Sequence, residues 1–128
     1  MKKFHLHLIS DSTGETILSI SKAIMSQFEG IDYEQHLWPL VRTRSEIEKV
    51  VGEIQKNPGI VIYTIVDKEI SNILRIATHK MKLPAIAALE RITKIISTYL
   101  KIDITPHTGR QHELDEDYFS RVEAINYT

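Results

Sequence analysis

The chain has 128 residues, 42% hydrophobic and 26% charged, with 16 Lys and Arg against 17 Asp and Glu. That size supports one core, and a formal net charge of −1 excludes the long-range positive field that draws proteins to nucleic acid or acidic membranes. With no cysteine there is neither a disulfide framework nor a thiolate metal site, which fits a reducing cytoplasm, and no apolar run approaches the about 18 to 20 residues of a membrane span.

Met1-Lys2-Lys3 leads into Phe4 to Ile9, an alternating stretch too short for a secretory leader and patterned as a strand. The strand ends in a polar elbow, Ser10-Asp11-Ser12-Thr13-Gly14-Glu15. Ser12 or Thr13 is expected to cap the next helix, and Ser12 with Glu15 has capping-box spacing. Unpaired N–H groups and the positive end of a helix dipole then meet at one spot, which suits an anion such as phosphate. The plain alternative is an ordinary capped turn, because the same residue types favour turns for local reasons, and neither the GxGxxG nor the GxxxxGK[ST] pattern is present.

Residues 17 to 28 carry Ile17, Ile20, Ile24 and Phe28 at helical spacing, and Gly30 ends that helix. Tyr33 to Val41 is strand-like, with Pro39 placing it on an edge, at a bulge or leaving the sheet. Arg42, Thr43 and Arg44 follow, and the guanidinium forks can hold phosphate oxygens, although a solvated loop has the same composition. Ser45 to Lys56 reads as a second helix with Ile47, Val50, Val51 and Ile54 on one face and a capping box at Ser45 and Glu48.

After Asn57-Pro58-Gly59, the unbroken apolar and β-branched run Ile60 to Val66 predicts a central parallel strand buried on both faces. Asp67 caps a third helix through Met81, with Ile70, Ile73, Leu74 and Ala77 inward. Leu83 to Leu89 is a short strand or buried linker, and Arg91 to Leu100 a fourth helix on Ile92, Ile95, Ile96 and Tyr99. Strand and helix alternate, which predicts an α/β fold: an open, mostly parallel sheet with flanking helices in three layers. Residues 1–104 form that domain, and 105–128 a polar loop and short helix on Phe119, Val122 and Ile125. Binding belongs at the carboxyl ends of the strands, where Ser10 to Glu15, Arg42 to Ser45 and Asp67 fall.

Other chemistry is weaker. His107, His112, Asp115 and Asp117 match no zinc spacing, and His5 and His7, on one side of the first strand, read as half-exposed sheet residues, so no metal site is assigned. Asp11 and Glu15 could hold a cation or act as a base, or simply complement the helix dipole. No GxSxG turn is present, and no residue is assigned the chemical step.

Four segments, FHLHLISDSTGETILSISKA, HLWPLVRT, NPGIVIYTIVD and GRQHELDEDYFSRVEAINYT, resemble in order and spacing the bacterial pyruvate, phosphate dikinase regulatory proteins and their phosphoenolpyruvate synthase counterparts. The resemblance runs from about Phe4 to Thr128. It implies a cytoplasmic bifunctional enzyme that phosphorylates an active-site threonine of its target using ADP and removes that phosphate with inorganic phosphate, releasing pyrophosphate.

Family members are about twice as long, and their nucleotide site is assigned to a phosphate loop beyond the matched region. The resemblance therefore implies the N-terminal part of such an enzyme, leading to a further C-terminal domain and inactive alone. The phosphate or substrate contacts it leaves to this chain are Ser10, Asp11, Ser12, Thr13, Gly14, Glu15, Arg42 and Thr43, with Gln111, His112, Tyr118 and Arg121 as a second patch. Pyruvate, phosphate dikinase or phosphoenolpyruvate synthase is the expected partner, with no nucleic acid and no membrane, and a homodimer is left open. The alternative is a non-catalytic phosphate- or protein-binding α/β module. A small flavodoxin-like or response-regulator-like domain fits the element order, but the paired acidic residues that a phosphoaspartate site needs after the first strand are lacking.

Overall fold

The computed structural model describes residues 2–105, so the expected loop and helix beyond it, with Gln111, His112, Tyr118 and Arg121, lie outside the described residues. Four strands and four helices alternate: β1 (Lys2–Ser10), α1 (Glu15–Met25), β2 (Ile31–Trp38), α2 (Arg44–Lys56), β3 (Gly59–Thr64), α3 (Lys68–Lys80), β4 (Ala85–Ala87) and α4 (Glu90–Leu100). All strand pairs are parallel, and the sheet order is β2-β1-β3-β4. The open three-layer α/β architecture expected from the alternation is the one observed.

The period of two along a strand assigns the layers. Leu6 and Leu8 of β1 and Ile62 of β3 face α1, where Ile17 packs on them. Ile9, Val61 and Tyr63 face the other way, against Ile47, Val50 and Ile54 of α2 and Ile70 and Leu74 of α3. Right-handed crossovers explain the split, because the chain steps one way from β1 to β2 and the opposite way from β2 through β3 to β4.

β3 is central and buried towards its carboxyl end, as its continuous apolar run predicts. β2 is an edge strand that stops at Trp38, immediately before Pro39, so the proline removes no ladder bond. Gly59 is imposed by packing: a Cβ there would lie 2.0 Å from the backbone oxygen of His5 on the neighbouring strand.

Two expectations change. α1 ends at Met25, leaving Phe28 outside the helix and 58% exposed. On α4 the face expected to pack, Ile92, Ile95, Ile96 and Tyr99, is exposed, and no α4 residue is buried. An apolar groove of about 460 Å³ also opens on the α1 side, between Phe28, Ile24 and Phe4 and the β3–β4 residues Ile60 and Ile86.

Candidate anion site at the carboxyl edge of the sheet

The strand order reverses direction at β1, so the carboxyl ends of β1 and β3 form the switch point where open α/β sheets bind ligands. Three loops meet there. Asp11 N–H donates to Thr64 O (3.2 Å), and the Asp11 carboxylate accepts from Val66 N–H (3.0 Å), which ties the elbow to the β3–α3 loop. Arg42 Nε donates to Asp11 O (2.7 Å), while Leu40 N–H and Val41 N–H donate to Ser12 O and Ser10 O (both 2.9 Å), which ties it to the β2–α2 loop. Leu40 holds a positive φ of 57° to make its bond, a conformation that non-glycine residues rarely adopt.

Inside the elbow the expected cap is not formed. Gly14, not Ser12 or Thr13, is the N-cap of α1, with φ 94° and no side-chain cap bond, so the Ser12–Glu15 capping box is absent. A Cβ at Gly14 would sit 2.9 Å from Leu37 Cδ1, so both the backbone and the neighbouring strand select glycine. Ser12 N–H is taken by Ser10 Oγ (3.0 Å). Ser10, Asp11 and Ser12 are buried and internally bonded, and they fix the loop. The exposed part of the elbow is Thr13 and Glu15, at the amino-terminal end of the α1 dipole.

The second loop is capped two residues earlier than expected. Thr43, not Ser45, is the N-cap of α2, accepting from Glu46 N–H (3.2 Å). Glu46 Oε1 accepts from Arg42 N–H (3.2 Å) and from Thr43 Oγ1 (2.9 Å). The Thr43 hydroxyl, ahead of the Arg42 amide, holds the Glu46 carboxyl below the usual glutamate range. Arg42 is exposed, spends its Nε on Asp11 O, and presents the rest of its guanidinium beside the elbow. Arg44 turns away, into surface ion pairs with Glu48 (3.1 Å) and Glu69 (3.9 Å). Asp67 caps α3 as expected, accepting from Ile70 N–H (3.1 Å).

A cleft of about 410 Å³ continues from this edge between α3 and α4, and its lining includes Thr64, Lys68, Arg75 and Lys94. Thr64 Oγ1 is buried there without a hydrogen-bond partner among the described residues. Sequence reasoning missed all four. Lys68 and Arg75 look like solvated helix positions, and only the parallel placement of β4 brings α4 beside them.

The fold and these converging loops define a parallel α/β protein whose polar groups gather at the switch point of its sheet. The chain belongs to the kinase/pyrophosphorylase family, whose model matches residues 6–128. Among curated relatives named "Putative pyruvate, phosphate dikinase regulatory protein", that of Erythrobacter litoralis is 46% identical over 128 residues, 100% of this chain and 46% of its own. Those of Novosphingobium aromaticivorans and Paramagnetospirillum magneticum are 44% and 42% identical over the whole of this chain, which covers 46% and 41% of them. The chain thus spans about half the length of the curated relatives it matches. Among the described residues no helix is long and apolar enough to cross a membrane.

Proposed function

We propose that this chain is the N-terminal part of a bifunctional ADP-dependent serine/threonine kinase and phosphate-dependent pyrophosphorylase. Its target is pyruvate, phosphate dikinase or phosphoenolpyruvate synthase, modified on and released from an active-site phosphothreonine. The observation that carries the reading is the match of the entire chain to regulators of the dikinase, together with the gathering of its polar loops at one switch point.

Phosphoryl transfer needs positioned N–H donors, cationic side chains and, in most enzymes, a metal, all aimed at the transferred group. In this reading the amides at Thr13 to Glu15 and the guanidinium of Arg42 bind phosphate oxygens, and the cleft beside Thr64, Lys68 and Arg75 receives the rest of an anionic substrate. Ser10, Asp11, Ser12 and Thr43 act indirectly, by holding those groups in place. No GxxxxGK[ST] run occurs in the 128 residues, so the ADP site belongs to the additional length that family members carry. Among the described residues, the apolar face of α4 and the apolar groove beside α1 are uncovered. The chain alone therefore binds phosphate weakly and does not transfer it.

Two measurements test this. Titration of the 128-residue chain with pyrophosphate, followed by amide NMR, shifts Thr13, Gly14 and Glu15, and Arg42→Ala abolishes the shifts. Incubation with either target enzyme and ADP gives no phosphothreonine, whereas a full-length relative does. Shifts confined to another region remove the elbow from the site. Phosphorylation by the 128-residue chain alone overturns the division of labour, and binding with no activity in any longer form leaves the non-catalytic module.

A further inference from the structure

Outside the loops at the carboxyl edge, a group of imidazoles lies on the α2 side of the β1–β2 pair. Register places His5 opposite Glu34 and His7 opposite His36, so all four side chains share one face of the sheet. His7, expected to be half-exposed, is instead fully buried. Indole nitrogen only donates, so Trp38 Nε1–H, 3.1 Å from His7 Nδ1, fixes that nitrogen as an acceptor. The proton then sits on Nε2, which donates to Asn57 O at 2.7 Å. Both nitrogens are occupied and His7 is neutral; burial, the dominant cause, also lowers its pKa.

His5 and His36 are different. His5 Nδ1 lies 3.0 Å from His36 Nε2 and 3.6 Å from Glu34 Oε2, and the three ligand atoms lie within 4.8 Å of one another. One nitrogen thus faces two acceptor-capable groups, and a single proton on it can satisfy only one. A cation between the three satisfies all of them. Ligand bonds of 2.0 to 2.1 Å in tetrahedral geometry separate neighbouring donors by about 3.3 Å, and the 3.0 and 3.6 Å separations bracket that value.

We propose that His5, His36 and Glu34 form a binding site for a zinc-type divalent cation. Two imidazoles and one carboxylate are a zinc donor set, whereas magnesium and calcium require all-oxygen shells. The fourth position faces solvent, because Glu34 is exposed and both imidazoles are only partly buried. The orientation of His36 is set beforehand: its ring stacks on His7 at 4.7 Å and 15° and on Trp38 at 6.2 Å and 10°. His7 and Trp38, spent on each other, act as the packed support of the ligands. The site lies five residues before Ser10, about 16 Å along β1 from the elbow, and is independent of the phosphate reading. Bound there, the ion staples edge strand β2 to central strand β1.

Calorimetric titration of the 128-residue chain with zinc chloride, in a non-coordinating buffer at neutral pH, is expected to give one equivalent bound at micromolar concentration. Excess magnesium does not compete. His5→Gln and His36→Gln each weaken binding at least about tenfold, whereas His79→Gln and the pair His107→Gln with His112→Gln leave it unchanged. Circular dichroism confirms that each variant is folded. In the unmodified chain, cobalt gives the visible absorption of a tetrahedral site, and diamagnetic zinc shifts the ring nitrogens of His5 and His36 by more than those of His7, which keeps the test independent of the variants. Absence of zinc uptake, or uptake that survives both ligand substitutions, overturns the proposal.

Discussion

Removal of the Asp11 carboxylate is the most direct test of how the elbow is held. Asp11 is 1% exposed, and its carboxylate accepts the N–H of Val66 across 55 positions of sequence. A hydrogen bond to a charged group contributes about 1.5 to 3 kcal/mol, and truncating the acceptor leaves the partly buried Val66 N–H without it. Asp11→Ala is therefore expected to cost about 2 to 3 kcal/mol, or about 6 to 12 °C in melting temperature for a chain of this size. Asp11→Asn keeps a carbonyl oxygen and loses only the charge assistance, so it costs about 1 kcal/mol. Urea unfolding measures both, with the slope unchanged if only the native contact is lost. An alanine variant within about 0.5 kcal/mol of the parent chain refutes the reasoning. The carboxylate would then not fasten the two loops, and its assignment as a cation ligand or a base would regain ground.

Other positions carry equally definite expectations. Gly59→Ala, whose methyl would stand 2.0 Å from a backbone oxygen of β1, is expected to abolish cooperative folding. Gly14→Ala meets only a flexible leucine tip and a left-handed φ, so it costs about 1 to 2 kcal/mol and folds; urea unfolding separates the two. At α2, Thr43→Ala costs about 1 kcal/mol, while Ser45→Ala is neutral because Ser45 does not cap. The Glu46 carboxyl is held below its unfolded value, so its contribution is complete at neutral pH and is lost as pH falls through that lowered value. Glu46→Gln consequently destabilises at pH 7 and ceases to do so under acid, as urea midpoints across pH will show.

Most of the architecture was legible because burial writes a period into the chain. The unbroken run Ile60 to Val66 predicts a strand covered on both faces, and β3 takes it as far as Thr64, while Leu6 and Leu8 alternate with His5 and His7 because β1 divides two different layers. The caps were harder. Thr43-x-x-Glu46 and Ser45-x-x-Glu48 are equally good local signals, and the choice falls to Glu46 because it also reaches the Arg42 amide. The partners of Asp11 and His5 lie 55 and 31 positions away, joined by strand order and register that no local pattern encodes. On α4 the helical periodicity does mark an apolar face, but periodicity reports such a face and not what covers it.

The burial of the elbow limits what the proposed anion site can do. A loop that merely capped a helix would not need three buried polar residues, a strained Leu40 and a glycine hemmed in by Leu37. Those features cost stability, and together they remove conformational freedom from a short segment at the switch point. Immobilised donors lose no reorganisation energy when charge arrives, which is the condition under which amides and a guanidinium stabilise a phosphoryl group. Yet the internal bonds that immobilise the loop also consume the amides of Asp11 and Ser12, leaving too few donors to enclose a phosphate on all sides. A rigid but incomplete cradle is what one expects of a surface that meets a second one. In the proposed function, the elbow positions a phosphate against groups contributed from elsewhere in a longer chain.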